Sequence, residues 1–122
     1  MAKIEKDDDR EYRIDMKVVV DAYNSEERAM GWYYYVSDEC EFPFKARCTE
    51  IRRKSPLDLN DEVEVLEISP AEECEREIFI DIKWNNRKLA VPLSQIEGLD
   101  IDDKTREVID DWHYWVKRRY AF

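Results

Sequence analysis

The spacing of apolar residues along this chain changes period twice, which restricts the fold more than any motif in it. Over residues 10–23, Ile14, Val18 and Ala22 recur every fourth position with Tyr12 and Val19 beside them, predicting an amphipathic helix. The run Val18, Val19, Val20 would also suit a strand, because β-branched side chains are stiff at χ1. Asn24-Ser25 reads as a break with a fresh N-cap at Ser25, and Glu26 and Glu27 follow where the helix dipole favours acids. This second helix continues through Ala29, Trp32, Tyr33, Val36 and Cys40 on one face, until Pro43 stops it. Gly31 costs it about 1 kcal/mol, which predicts close approach of another element.

Beyond Pro43 the period becomes two. Phe44, Ala46 and Cys48 alternate with Lys45, Arg47 and Thr49, and a second strand carries Val63, Val65, Leu66 and Ile68. Residues 71–77 read as a loop or the opening of a third strand, in which Ile78, Ile80 and Ile82 alternate. Asn85-Asn86 is a hairpin signal, and Leu89, Val91 and Leu93 form the returning strand. Residues 94–99 read as a short turn around Gly98. From Asp103 the helical period returns with Val108, Ile109, Trp112, Trp115, Val116 and Tyr120, and basic residues close the helix. The predicted architecture is α+β: two N-terminal helices, a small curved antiparallel sheet of four to five strands resembling an SH3-like barrel, and a C-terminal helix. Residues 1–9 are expected to be a frayed acidic segment and residues 10–122 one domain.

Charge narrows the function. Thirty acidic residues against 20 basic ones give a net charge of −10, which repels nucleic acid and anionic membranes and attracts cations or basic partners. No apolar stretch is long enough to span a bilayer, and three cysteines without a secretion signal predict reduced thiols in a cytoplasm. Cys40, Cys48 and Cys74 lack zinc-ligand spacing and read as core thiols. The single His113 has no partner placed for general-base work, and two isolated glycines make no phosphate loop, so an enzyme is not expected.

The remaining chemistry lies in clumps of carboxylates, hard oxygen ligands suited to Ca²⁺. Asp38, Glu39 and Glu41 fall at the C-terminal end of the second helix, where negative charge opposes the dipole and free carbonyls point outward. A bound cation would relieve both, which makes this trio the first choice. Glu72, Glu73 and Glu75, with Glu77, form the densest clump and the second choice; extended, Glu73, Glu75 and Glu77 would share one face and repel. Asp100 and Asp102 begin an EF-hand-like pattern, but Lys104 and Thr105 break it and the position suits a helix N-cap. The aromatic run Trp32, Tyr33, Tyr34, Tyr35 circles a helix, so it serves either as a recognition ridge or as a helix buried on most sides.

Several segments together resemble a small family of bacterial, largely cyanobacterial, acidic calcium-binding proteins without EF-hands. They are Asp21-Ala22-Tyr23, Glu26-Glu27-Arg28-Ala29-Met30-Gly31-Trp32-Tyr33-Tyr34-Tyr35, Phe42-Pro43-Phe44-Lys45-Ala46-Arg47-Cys48, Ser55-Pro56-Leu57, Val91-Pro92-Leu93-Ser94-Gln95 and Asp111-Trp112-His113-Tyr114-Trp115. Asn24-Ser25 departs from the Gly-Pro expected in relatives and affects only the helix break. The resemblance implies reversible Ca²⁺ buffering in the cytoplasm. It supplies no ligand set, because its segments are mostly structural. The competing expectation is a non-catalytic module that docks a basic partner through its acidic surface and the Trp32 to Tyr35 ridge.

Overall fold

The computed structural model describes residues 5–120 and 122. Helix α1 spans Asp8–Lys17 and starts earlier than the apolar spacing indicates: Asp7 caps it by accepting a hydrogen bond from the Arg10 N–H, and Asp8, Asp9 and Glu11 occupy the first turn. The acidic stretch expected to fray therefore belongs partly to this helix, and residues 1–4 lie outside the described residues. The helix ends at Lys17, before the β-branched run, and Val18 donates back to the Ile14 carbonyl.

Helix α2 spans Ser25–Glu39. Asn24 rather than Ser25 caps it, its Oδ1 accepting from the Glu27 N–H at 2.8 Å while the Glu27 carboxylate accepts from the Tyr23 N–H at 2.9 Å. Gly31 is where the chain turns back on itself: a Cβ there would lie 2.1 Å from the Val18 carbonyl oxygen. Close approach of another element is thus the reason for a glycine inside a helix.

Strands β1 (Phe44–Cys48), β2 (Glu62–Ile68), β3 (Phe79–Trp84), β4 (Arg87–Pro92) and β5 (Ile96–Leu99) form one antiparallel sheet in the order β4-β3-β2-β1-β5. Asn85 and Asn86, with φ of 47° and 66°, make the tight β3–β4 hairpin predicted for them. A register shift between Val65 and Glu67 marks a bulge in β2. Residues 94–99, read as a turn, instead hold the end of a 3-10 turn (Leu93–Gln95) and all of β5, which returns across the sheet to pair with β1. Four residues containing a glycine are too few to show a period. The sheet is open, with β4 and β5 at its ends, so the barrel closure expected from its short strands is not formed.

Helix α3 (Asp103–Lys117) packs on α2, and together they cover the sheet through β2, β5 and the 3-10 turn before β5. The contact is aromatic: Trp32 meets Trp112 edge-on at 5.0 Å between ring centroids and Trp115 at 5.4 Å. Consequently Trp32 and Tyr35 are buried, Tyr33 is half-buried and only Tyr34 is exposed. The run does not present all four rings as one ridge, because the sheet and α3 bury Trp32 and Tyr35.

Polar contacts hold α1 on α3. Asp111, fully buried, accepts from Arg10 Nη1 at 2.7 Å, Arg13 Nη2 at 2.6 Å and Nε at 3.0 Å, and the Tyr35 hydroxyl at 2.8 Å. Tyr114 and Tyr120 each donate to Glu11 at 2.6 Å.

Candidate metal site

The last turn of α2 contains no basic residue, so Asp38 and Glu39 stand exposed at the negative end of its dipole. Cys40 turns out of the helix into extended backbone, and the Glu41 N–H donates to Thr105 Oγ1 at 2.9 Å. That bond ties the end of α2 to the first turn of α3. On the sheet side, pairing of Lys45 with Leu99 brings the residues after β5 alongside those leading into β1. Asp100 adopts φ 52°, a left-handed conformation that aspartate tolerates better than most residues. Ile101 then folds over Gly98, where a Cβ would meet the isoleucine Cδ1 at 2.3 Å.

These constraints place Glu41, Asp100 and Asp102 around one depression of about 240 Å³, completed by Pro43, Phe44 and Ile101. Asp102 occupies the N-cap position of α3, yet its side chain makes no capping hydrogen bond. The cap explanation suggested by sequence therefore fails for this carboxylate. Burial pushes the Cys40 thiol up to about 12, with the negative charges of Asp102 and Glu39 adding to the effect, so both carboxylates lie within electrostatic reach of one thiol. Of the first-choice trio, Glu41 lines the depression, whereas Asp38 and Glu39 belong to the adjoining helix end. Among the described residues, no three His, Cys, Asp or Glu side chains already converge as a metal cage. Glu41, Asp100 and Asp102 border the depression as separate hard oxygen donors.

The second clump is arranged differently from the extended strand that would align it. Ala71–Glu73 is a 3-10 turn, and Glu72, Glu73 and Glu75 are exposed. Glu77 is engaged by Arg52, whose Nη2 lies 2.9 Å from its Oε2. Glu72 and Glu75 face a groove against α2; Glu73 does not line it.

Asp100 and Asp102 are the residues that reasoning from sequence set aside. A broken EF-hand pattern carries little information, and only β1–β5 pairing brings them to Glu41. The family profile of the CcbP proteins, described as calcium binding, matches residues 12–116.

The chain belongs to the CcbP calcium-binding family.

Two solved structures support that placement over their full length and that of this chain. One, described as the crystal structure of Anabaena CcbP, is 42% identical with a TM-score of 0.88. The other, described as a calcium binding protein in the calcium-binding form, is 41% identical with a TM-score of 0.85. A comparison with curated proteins finds no match. As a CcbP-family member the protein is a binder rather than an enzyme. Among the described residues, no helix is long and apolar enough to cross a membrane.

Proposed function

We propose that this CcbP-family protein binds Ca²⁺ reversibly and buffers it, with Glu41, Asp100 and Asp102 as principal ligands. Asp38 and Glu39 add negative charge, and outward carbonyls, at the end of α2. The observation that carries this reading is the Asp102 carboxylate, which stands at a helix N-cap without capping it and shares a depression with Glu41 and Asp100. Hard oxygen donors with no imidazole or thiolate among them suit Ca²⁺, and separate donors tolerate its variable coordination better than the strict octahedron of Mg²⁺. A site that the ion itself must draw together binds in the weaker biological range, roughly 10⁻⁶ to 10⁻³ M. That range favours buffering. Glu72, Glu73 and Glu75 form a second, weaker site in this proposal. The buried free thiols suit a reducing cytoplasm.

Calorimetric titration with Ca²⁺ in excess Mg²⁺ tests the function. Saturable heat supports it, and none at tens of micromolar protein would sink it. Loss of the tightest step in Asp102→Asn identifies the depression, whereas a step lost only in the Glu72→Gln, Glu75→Gln double variant moves the principal site to the second clump.

A further inference from the structure

The groove between α2 and residues 71–76 has a volume of about 720 Å³, within the usual range of ligand pockets of roughly 300–1,000 Å³. Its lining divides by chemistry. Ala29, Met30, Tyr33 and Phe122 supply an apolar floor, and Glu26, Glu72 and Glu75 stand around it against one cation, Arg76. Among the described residues, none of those three carboxylates has a hydrogen bond or ion pair. The walls are preformed. Cys74 Sγ accepts from the Phe79 N–H at 3.4 Å, fixing the loop side, while Arg28 holds the Phe122 carbonyl and the Phe122 ring packs on Trp112 at 5.7 Å. Burial chiefly, with nearby negative charge including Glu72 contributing, holds the Tyr33 hydroxyl above its ordinary range, so Tyr33 stays an uncharged surface.

An apolar floor inside an acidic rim, on a chain of net charge −10, rejects nucleic acid, anionic lipid and acidic peptides. Its complement is an apolar side chain flanked by cations. We infer that this groove docks a basic amphipathic segment of a partner protein: one Leu, Met or Phe of the partner enters over Met30 and Tyr33, and neighbouring Lys or Arg side chains pair with Glu26, Glu72 and Glu75. Apolar burial supplies most of the affinity, and the carboxylates set orientation and encounter rate. This inference is independent of the Glu41 depression. It predicts that Ca²⁺ held by Glu72 and Glu75 competes with the partner.

The test uses a fluorescein-labelled synthetic peptide of Lys and Leu patterned as an amphipathic helix, with anisotropy recorded on the whole chain in EDTA at physiological ionic strength. Saturable one-to-one binding is expected. Met30→Ser should weaken it about tenfold, the loss of one buried methionine contact. Glu72→Gln with Glu75→Gln should weaken it several-fold and flatten its salt dependence. Glu72 and Glu75 are exposed and Met30 is half-buried, and an unchanged near-UV tryptophan signal verifies the fold. Amide shifts on peptide addition should be confined to the first half of α2 and residues 71–76. Equal binding of a peptide with Ser in place of Leu, indifference to Met30→Ser, or shifts centred elsewhere would each overturn the inference. Failure here with Ca²⁺ titration intact removes the groove and leaves the calcium reading standing.

Discussion

Asp102 and Asp111 are aspartates of one neighbourhood with opposite surroundings. Asp102 is exposed at the start of α3 and bonds nothing on the helix, whereas Asp111 is sealed beneath α1 by two guanidinium groups and a tyrosine hydroxyl. Their substitutions should therefore separate function from stability. Glu41→Gln with Asp102→Asn is expected to weaken the tightest Ca²⁺ step by an order of magnitude or more in calorimetry and to leave the urea midpoint in EDTA unchanged or slightly raised, since it removes mutual repulsion. Asp111→Asn should leave Ca²⁺ stoichiometry intact and cost about 3 kcal/mol in urea unfolding, the low end for a broken buried pair because Arg10 and Arg13 keep some solvent contact. The thiols give a third expectation. Cys40, Cys48 and Cys74 are free and buried, and burial raises Cys40 and Cys74, so iodoacetamide should label none of them in the native state and all three in urea. Burial of these cysteines was readable from their lack of zinc spacing. The fate of Asp102 was not, since an aspartate before a helix looks the same whether or not it caps.

Elements with a long, clean period were legible: α2 and α3 by their repeating apolar face, and the β3–β4 hairpin by its two asparagines. Misread elements owe their form to distant partners. Helix α1 was legible from Ile14, Val18 and Ala22 but its bounds were not: it buries only Ile14 within its span, and hydrogen bonds to α3 from Arg10, Arg13 and Glu11's tyrosine partner hold its earlier turns. Gly31 is where that docking is tightest. Alanine there would gain helix propensity of about 1 kcal/mol, yet its methyl would collide with the Val18 carbonyl. Gly31→Ala should therefore destabilise the fold by about 1–3 kcal/mol and speed amide exchange in residues 8–18. Protonation should loosen the same elements. Burial works against the charge of Glu11, but hydrogen bonds from Tyr114 and Tyr120 outweigh it, holding the carboxyl below its ordinary 4.5. Its contribution is complete above that pH and is lost as pH falls through the depressed value. His113 adds an earlier step. Burial, only partly offset by its bond to the Ile96 carbonyl, keeps it below 6.5, so the neutral ring stabilises the fold fully above pH 6.5 and progressively less beneath it. Urea midpoints measured against pH should fall from about 6.5 downward, and His113→Gln should remove that first decline while leaving the steeper acid limb of Glu11.

For the whole molecule, the acid excess sets a standing tension. A net charge of −10 on a compact chain is self-repulsive, and an ion bound only by the folded state relieves part of it. Free Ca²⁺ at about a hundred times Kd should add about 2.7 kcal/mol of stability, seen as a rise in Tm that Glu41→Gln with Asp102→Asn abolishes. The family could be recognised from its structural segments, and calcium with it, but the meeting of Glu41, Asp100 and Asp102 around one depression could not. Glu41 and Asp102 lie on opposite sides of the whole five-strand sheet in sequence, before β1 and after β5, and the bond joining their segments, from the Glu41 N–H to Thr105, spans 64 residues of sequence. The return of β5 to β1 has a consequence in time. A nascent chain exposes Asp38, Glu39 and Glu41 long before the partners of Glu41 have been synthesised, and until the last strand swings across, those carboxylates are only a charged tail of a helix. Under the proposed ligand set, calcium capture becomes a mark of completion: the ion should be held by chains that have finished folding and ignored by those that have not.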